Sequence, residues 1–179
     1  MLFGQGAYIH AKALLAQVLL ERAFDETITS GHTEKPWPWA DTWPVARIEV
    51  PRLRVRTIVL AGSSGQALAF GPGHLELTAD AGERGVAVYS AHRDTHFRFL
   101  KEIVIGDEIV VTRSDGKQFS YRADGASVVR FDATGIDPLT GGYELVLSTC
   151  WPFDAIIPGP TRYVLHATMT GPPVSAGSG

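Results

Sequence analysis

The 179-residue sequence is poor in cysteine: Cys150 is the only one. A single cysteine excludes an internal disulfide framework and a cysteine-rich zinc site. The chain also lacks a run of about 18 or more apolar residues, so we expect no complete transmembrane helix within it. Residues 1–6 have neither the charged start nor the long apolar stretch of a signal peptide. An upstream membrane anchor that lies outside this sequence therefore remains possible.

Dense runs of basic residues are missing as well. The formal net charge is −3, so the whole chain offers no positive field to a nucleic acid. Arg47, Arg52, Arg54 and Arg56 are spaced apart, and their pattern predicts a solvated face of a strand. We therefore expect no nucleic-acid partner.

Helical patterns are confined to the N-terminal part of the chain. Residues 7–28 predict one helix within an N-terminal region of residues 1–29, because apolar residues recur at spacings of three and four: Leu14, Leu15, Val18, Leu19 and Ala23. This pattern favours a helix packed on a globular core. The alternative, a helix lying on a membrane surface, is disfavoured by the few basic residues on its polar face.

Residues 30–44 contain three prolines and three tryptophans, which are typical of a linker. The prolines exclude a regular helix or a central strand. We expect the indoles of this linker to cover apolar area on the domain surface.

From Val45 to residue 170 the pattern is typical of short strands. The predicted strands are residues 45–50, 53–60, 85–90, 108–112, 117–122, 126–130, 144–149 and 163–168. Asp115-Gly116 predicts a hairpin turn, and residues 95–102 predict one or two helical turns. Eight short strands without long helices between them indicate an all-β barrel or sandwich. The Gly-, Pro- and Ser-rich residues 171–179 predict a disordered tail.

Three residues that can carry chemistry lie at predicted strand ends. Cys150 follows the strand 144–149, His92 follows the strand 85–90, and Arg162 opens the last strand, twelve residues after Cys150. If the strands next to Cys150 and Arg162 are neighbours, both residues lie at the same sheet edge.

A cysteine nucleophile, an imidazole and a guanidinium together suit acyl transfer. A nearby cation favours the thiolate. The tetrahedral intermediate needs donors aimed at its oxyanion, and arginine carries a permanent charge and five donors. Cys150, His92 and Arg162 can therefore form a complete acyl-transfer set without a carboxylate.

Other readings of the same residues stay open at this point. Each residue alone has a commoner role: a buried thiol, a structural histidine or a surface ion pair. His92 and His96, with Asp94, could suggest a metal site, but the region is not predicted to be helical at His92 and no further ligand stands out. A cysteine hydrolase with the same site and a non-catalytic β-barrel binding module are the remaining alternatives.

Several motifs resemble those of the sortase family. Leu147-Ser148-Thr149-Cys150 resembles the signature Thr-Leu-X-Thr-Cys, and Ala91-His92-Arg93 resembles the sortase Gly-His-Arg segment. Arg162 matches the arginine that opens the strand after the cysteine loop. Residues 35–41, 70–74, 92–97 and 150–154 resemble the class D- and E-like sortases of Gram-negative bacteria, and the resemblance covers roughly residues 7–170.

Two positions depart from the sortase pattern. Val146 stands where the signature has Thr, and we expect it to suit a buried strand position. Ala91 stands where Gly is usual, which matters only if the backbone there needs positive φ. Neither change removes a reacting group.

The resemblance implies an eight-stranded β-barrel with an N-terminal helix and short helical turns. It implies a cysteine transpeptidase in which Cys150 attacks the Thr carbonyl of an LPXTG-like sorting signal near the C-terminus of a secreted protein. His92 would transfer protons, and Arg162 would stabilise the oxyanion or position the substrate. Thr149, Asp94 and Trp151 are candidates for substrate binding, and no metal or cofactor is expected.

The resemblance also implies partners and a place in the cell. The acceptor would be an amine on the cell envelope or on another protein. Sortases usually carry an N-terminal membrane anchor, so we expect this chain at the extracytoplasmic (periplasmic) face of the cytoplasmic membrane. The anchor would lie upstream of the sequence, with the helix of residues 7–28 connecting it to the barrel.

Overall fold

Eight strands and two α-helices make up the described part of the chain. The structure, a computed structural model, describes residues 3–133, 135–137, 141–157 and 159–171. The elements are α1 (Phe3–Ser30), β1 (Pro44–Val50), β2 (Val55–Ala61), α2 (Gly65–Phe70), β3 (Gly73–His74), β4 (Gly85–Ser90), β5 (Glu108–Arg113), β6 (Gln118–Arg130), β7 (Tyr143–Trp151) and β8 (Thr161–Met169). Two 3-10 turns, Pro51–Leu53 and Arg98–Glu102, lie between strands. The predicted tail falls, after Gly171, outside the described residues.

The strands close into a barrel in the order β1-β2-β3-β4-β7-β8-β6-β5, with β5 pairing back to β1. The predicted eight-stranded barrel with an N-terminal helix is thereby confirmed. The β2–β3 and β4–β7 pairs are parallel, and the remaining pairs are antiparallel. As a result β7 lies between a parallel neighbour, β4, and an antiparallel neighbour, β8.

The strand number agrees with the sequence prediction although the strands do not correspond one to one. The predicted strands 117–122 and 126–130 form a single strand, β6. Its pairing with β8 continues on both sides of a register shift between Ala123 and Gly125, so the two halves are not separated by a loop. The two-residue strand β3 was not predicted, and neither was the short helix α2. The predicted strand 53–60 begins only at Val55, after the first 3-10 turn.

Successive apolar side chains along the strands point alternately into and out of the barrel, and they form two separate apolar clusters. The barrel interior contains Tyr89, Leu145, Leu147 and Leu165, each at most 3% exposed. A smaller cluster on the outer face consists of Val86, Val88, Val146 and Val164. Because successive side chains of a strand point to opposite faces, odd positions on β4, β7 and β8 face inward and even positions face outward.

The Asp115-Gly116 hairpin between β5 and β6 is confirmed. Gly116 has φ +81°, a conformation that glycine adopts at no steric cost. The Arg113 N–H donates to the Lys117 carbonyl at 2.9 Å, and the Lys117 N–H donates to the Asp115 carboxylate at 3.1 Å. The turn therefore sets the register of the two strands.

Helix α1 covers the outside of the barrel with its C-terminal half. Leu20 and Phe24 pack against Ile58 and Leu60 of β2 and against Ala67 of α2. The buried positions of α1 follow helical spacing: Ala16, Leu20, Ala23, Phe24 and Thr27. The predicted packing face was therefore partly wrong, because Leu14, Leu15 and Val18 are 58–68% exposed.

The arginines near β1 form ion pairs with distant parts of the chain. Arg47 is buried and donates to Glu21 at 2.6 Å and to Asp25 at 2.7 Å. The prediction of a solvated arginine face is wrong for Arg47, because α1 lies across that part of β1. Arg52 reaches Asp107 at 2.6 Å.

Residues 31–43 contain neither helix nor strand, as their prolines predict. Trp37 contacts Phe70 of α2 edge-on, with 5.0 Å between ring centroids. Trp39, by contrast, is 80% exposed. One indole of this segment therefore covers apolar area as expected, and another does not. Within the described residues, no helix combines the length and apolar character that crossing a membrane requires.

Candidate active site

The sheet register brings Cys150 and Arg162 side by side. The two residues are direct partners across the β7–β8 pair. On the other side of β7, the parallel strand β4 pairs as far as Ser90 with Ser148, and the Ala91 N–H then donates to the Ser148 carbonyl at 3.2 Å. His92 and Cys150 each lie two residues beyond that last pair, so they leave adjacent strands at the same end of the barrel.

Cys150 lies inside β7, which extends to Trp151. The prediction that the strand stops before Cys150 is wrong, because β8 continues the pairing to Thr161 opposite Trp151. The Thr161 hydroxyl also donates to the Trp151 carbonyl at 3.1 Å. The backbone that carries the thiol is therefore held by the sheet instead of by a loop.

The thiol side of β7 is the outer face of the barrel. Val146, Ser148 and Cys150 alternate with the interior residues Leu145 and Leu147. Cys150 is free and half-buried. On β8 the same parity places Arg162, also half-buried, on the outer face beside Cys150. The exposed His92 follows β4 at the end of this face.

Thr149 fixes the two strand ends relative to each other. Its side chain is buried, with 1% of the residue exposed, and its hydroxyl donates to the Ala91 carbonyl at 2.8 Å. The bond joins the residue before Cys150 to the residue before His92. Thr149 has almost no surface for a substrate, so its geometry favours a positioning role over the substrate contact expected from the sequence.

The two departures from the sortase pattern fit the structure. Ala91 is 5% exposed, and both its N–H and its carbonyl bond to β7. It is not among the described non-glycine residues with positive φ, which are Arg54 and Leu77, so its methyl group adds no backbone strain. Val146 is 1% exposed within the outer valine cluster, as a buried strand position requires.

The Arg162 guanidinium is held by backbone carbonyls. Its Nη1 donates to the Gly159 carbonyl at 3.2 Å and to the Thr161 carbonyl at 3.1 Å. In the described ranges no carboxylate forms a salt bridge with Arg162. These two bonds hold the guanidinium at the start of β8, whose backbone pairs with β7 at Cys150.

Trp151, a predicted substrate contact, belongs to an aromatic cluster. Its ring stacks on Tyr163 with 5.8 Å between centroids and meets Phe153 edge-on at 5.5 Å. Phe153 and Tyr163 pack in turn against the barrel interior. This cluster anchors the start of the loop between β7 and β8.

Arg93 is a residue of the site that the sequence analysis missed. It is 6% exposed, and its Nη2 donates to the carbonyls of Ala155 and, at 3.3 Å, Ile157. It therefore ties the segment after His92 to the loop after Cys150. Its place in the Ala91-His92-Arg93 segment was the available signal. Asp94, a predicted substrate contact, is 73% exposed and lies 3.7 Å from the Arg93 Nε.

The segment after His92 is a turn, not a helix, and the Phe97 N–H donates to the His92 carbonyl at 3.2 Å. Burial lowers the pKa of His96, nearby His92 lowers it further, and a backbone hydrogen bond with Ala69 opposes both effects. Among the described residues no group of three or more His, Cys, Asp or Glu side chains could hold a metal ion.

An apolar groove lies on the outer face immediately before the thiol. It has a volume of about 280 Å³, and its lining includes Leu75, Leu77, Val88, Ser90, Ile136 and Ser148. Ser90 and Ser148 are the last paired residues of β4 and β7. An extended peptide in the apolar groove would therefore end beside Cys150 and His92.

Comparison with known proteins identifies the class of the barrel. The family model for the sortase domain matches residues 48–170, which is more than half of the chain. The chain belongs to the sortase family. Sortases are cysteine transpeptidases of the cell envelope that act on sorting signals of substrate proteins.

Individual relatives agree with the predicted class D- and E-like branch. Sortase D from Bacillus subtilis (strain 168) is 32% identical over 120 residues, which are 66% of this chain and 60% of that protein. A solved structure of a sortase E variant from Streptomyces avermitilis is 30% identical, covers 76% of this chain and 94% of that chain, and has a TM-score of 0.61. The placement among Gram-negative sortases stays a prediction.

A second solved structure supports the fold alone. Sortase D5 from Clostridium perfringens, described as a transpeptidase, is 23% identical, covers 88% of this chain and 99% of that chain, and has a TM-score of 0.70. Its barrel and the barrel described here therefore share one architecture.

Proposed function

We propose that this chain is a transpeptidase that cleaves an LPXTG-like sorting signal and joins the new acyl end to an amine. One observation carries the proposal: Cys150 and Arg162 are register partners, and His92 follows the parallel strand beside them at the same barrel end. This arrangement supports the proposed roles of Cys150 as nucleophile, His92 as proton carrier and Arg162 as oxyanion donor. The family membership supplies the reaction class.

In the first half-reaction the Cys150 thiolate attacks the carbonyl carbon of the Thr in the sorting signal. The new C–S bond places negative charge on the carbonyl oxygen, and the Arg162 guanidinium stabilises it. The C–N bond then breaks, and protonated His92 gives its proton to the departing amine. The products are a thioester on Cys150 and the released C-terminal peptide.

In the second half-reaction the acceptor amine attacks the thioester carbon. His92, now neutral, takes one proton from the amine nitrogen as the C–N bond forms. The C–S bond breaks and the sulfur leaves as thiolate, so the enzyme returns to its starting state. Arg162 again faces the oxyanion.

The apolar groove is the proposed binding place of the Leu and Pro side chains of the sorting signal. Leu75, Leu77, Val88 and Ile136 supply apolar surface there. Burial of apolar side chains contributes about 25 cal/mol per Å² removed from water. The Thr of the signal would follow next to Cys150.

Mass spectrometry with a panel of LPXTG-like peptides and triglycine tests the proposed reaction. We expect a covalent acyl adduct on Cys150 and a peptide product joined to triglycine. Cys150→Ala should give neither. His92→Gln is a second variant, and we expect a rate loss of about 100- to 10,000-fold from it, because proton transfer is lost.

The alternatives predict different products. An adduct that yields only hydrolysed peptide, even with excess amine, would favour the cysteine hydrolase. An unreactive thiol and no adduct with any peptide would leave the binding module as the better reading.

We also infer the finer setting: a secreted substrate protein, an amine on the envelope or on another protein, and action at the extracytoplasmic face of the cytoplasmic membrane. The family membership supports this placement. An anchor would be joined through α1, whose N-terminal half lies largely exposed beyond the barrel. Labelling Cys150 in intact cells with a thiol reagent that cannot cross the cytoplasmic membrane tests it. If Cys150 is labelled only after the cells are lysed, the proposed extracytoplasmic placement is wrong.

A further inference from the structure

A second cavity is lined by residues that closely follow His92 and Cys150 in the chain, whereas the lining of the apolar groove includes Ser90 and Ser148, which precede them. The second cavity has a volume of about 440 Å³ and lies between the segment after His92 and the loop after Cys150. Its charged lining consists of Arg93, Asp94, Arg98, Lys101 and Asp154, with Ile156 beside them. We name it the polar cavity. Because β4 and β7 run parallel, the apolar groove borders the residues before His92 and Cys150, and the polar cavity borders those after them.

The polar cavity carries surplus positive charge. Three cations face two carboxylates, and in the described part of the chain neither Arg98 nor Lys101 forms a salt bridge. Arg93 is 6% exposed, and its Nη1 atom is buried without a hydrogen-bond partner. A buried guanidinium nitrogen without a partner is costly, and it leaves the positive charge at the Arg93 wall of the cavity only partly compensated by Asp94.

Apolar surface adjoins these charges. Ile156 is 98% exposed and Ile157 is 77% exposed, and both follow the half-buried Ala155. Arg93 holds this stretch through the carbonyls of Ala155 and Ile157. The exposed pair is therefore presented on a fixed loop beside the cations, where it can contact the chain of a bound peptide.

We propose that the polar cavity binds the acceptor and that the acceptor carries a free carboxylate besides its amine. The inference rests on the proposed function. The donor's acyl part occupies the apolar groove, so the incoming amine reaches the thioester from the other side. Asp94 and Asp154 attract the ammonium form as it approaches, and Arg93, Arg98 and Lys101 hold the carboxylate. The acceptor class is then an amino acid or a short peptide with a free carboxylate.

Binding can be measured without any donor peptide, by NMR of the isotope-labelled Cys150→Ala protein. Three probes share an N-terminal glycine amine: triglycine has a C-terminal carboxylate, triglycinamide has none, and Gly-Glu-Gly-amide has only a side-chain carboxylate. We expect triglycine or Gly-Glu-Gly-amide to shift the backbone amides of residues 153–157 and 93–94. Which of them binds tells whether a C-terminal or a side-chain carboxylate is recognised, and triglycinamide should bind about tenfold more weakly.

The double variant Arg98→Gln/Lys101→Gln, made in the Cys150→Ala background, tests the cations. Both residues are exposed, so the barrel should fold unchanged. Loss of two exposed charges should weaken binding of the carboxylate probe about three- to tenfold and leave triglycinamide unaffected. Lys35→Gln/Arg122→Gln removes the same charge elsewhere on the surface and should change neither.

Equal shifts with all three probes would overturn the carboxylate recognition, and so would shifts confined to Ser90 and Ser148. No shifts with any probe would overturn it too. These results leave the acyl adduct on Cys150 untouched, so the proposed function stands or falls separately. If a donor peptide reacts, the same double variant should raise the KM for triglycine while the rate of thioester formation stays unchanged.

Discussion

The two faces of β7 differ in what they contribute. On the inner face Leu145 and Leu147 are at most 1% exposed and pack in the barrel interior. On the outer face Ser148 borders the apolar groove, and the half-buried Cys150 lies opposite Arg162. The inner positions of β7 therefore serve the core of the barrel, and its outer face carries the candidate site residue Cys150.

This difference shows how a barrel can hold a half-buried thiol on its outer face. A close-packed interior allows little movement of the strand backbone, so the outer side chains keep their mutual geometry. Sheet register places Arg162 directly across from Cys150, and the proposed mechanism assigns these two residues the roles of oxyanion donor and nucleophile. Substitutions on the inner face should therefore lower stability, and substitutions at the candidate site on the outer face should lower activity without unfolding the protein.

Leu147→Ala should show the largest effect on the inner face. Removing a fully buried leucine side chain leaves a cavity, and we expect the free energy of unfolding to fall by about 2–5 kcal/mol. Urea titration followed by circular dichroism measures it. Leu77→Ala is the matched control, because Leu77 is 99% exposed, and it should change the free energy by less than about 0.5 kcal/mol. Equal losses from both variants would contradict the assignment of faces.

Arg162→Ala, on the outer face, should lower activity and leave stability nearly unchanged. We expect kcat/KM for the transfer reaction to fall about 100- to 1,000-fold, because an oxyanion donor is lost, while the thermal midpoint stays near that of the unchanged protein. Arg130→Ala is the matched control: Arg130 lies at the end of β6, opposite Thr161 of β8, and its side chain is 65% exposed. A large drop in thermal midpoint with Arg162→Ala would mean that the residue acts in folding.

Thr149 does not fit the division between the two faces of β7. Its side chain lies on the inner face, but its hydrogen bond to the Ala91 carbonyl positions the candidate site on the outer face. Thr149→Val keeps the shape and removes the hydroxyl that donates to the Ala91 carbonyl. We expect a stability loss of about 1–3 kcal/mol and a fall in kcat with little change in KM. Thr149→Ser retains a hydroxyl and should recover most of kcat. If Val and Ser variants lose kcat equally, the hydrogen bond does not position the site.

The smallest effect is expected away from β7, at Asp107, which precedes β5. Hydrogen bonds from Arg52 hold the pKa of Asp107 below its ordinary value; burial opposes this, and the Val104 N–H adds to it. A depressed folded pKa means that the stabilisation is present above the unfolded pKa of about 3.9 and is lost as pH falls through the folded value. Asp107→Asn should lower the thermal midpoint at pH 7.

The same pH series provides the check. The difference between Asp107→Asn and the unchanged protein should shrink as the pH falls from about 4 through the lower pKa of the folded carboxylate, because protonation there removes the charge that Arg52 contacts. A difference that stays constant with pH would show that the Arg52 pair does not cause it. Transfer activity at pH 7 should be the same for both proteins.

Much of the site could be predicted from the sequence because it depends on order along the chain. Cys150, His92 and Arg162 each lie within two residues of a strand end, and local apolar alternation located those strands. The Asp115-Gly116 turn was predictable for the same reason, since its conformation depends on neighbouring residues. The length of β6 was not, because its continuity depends on pairing with β8 across the bulge.

The sequence by itself determined the all-β class, the hairpin, and the three residues for which acyl-transfer roles are proposed. Only the tertiary structure decided which α1 face is buried, why Arg47 is enclosed, and that Thr149 bonds to Ala91. It also revealed Arg93 as the link between two segments more than sixty residues apart along the chain. Local patterns follow from each residue's own backbone and side-chain preferences, whereas burial and ion pairing depend on which distant segments the closed barrel brings into contact.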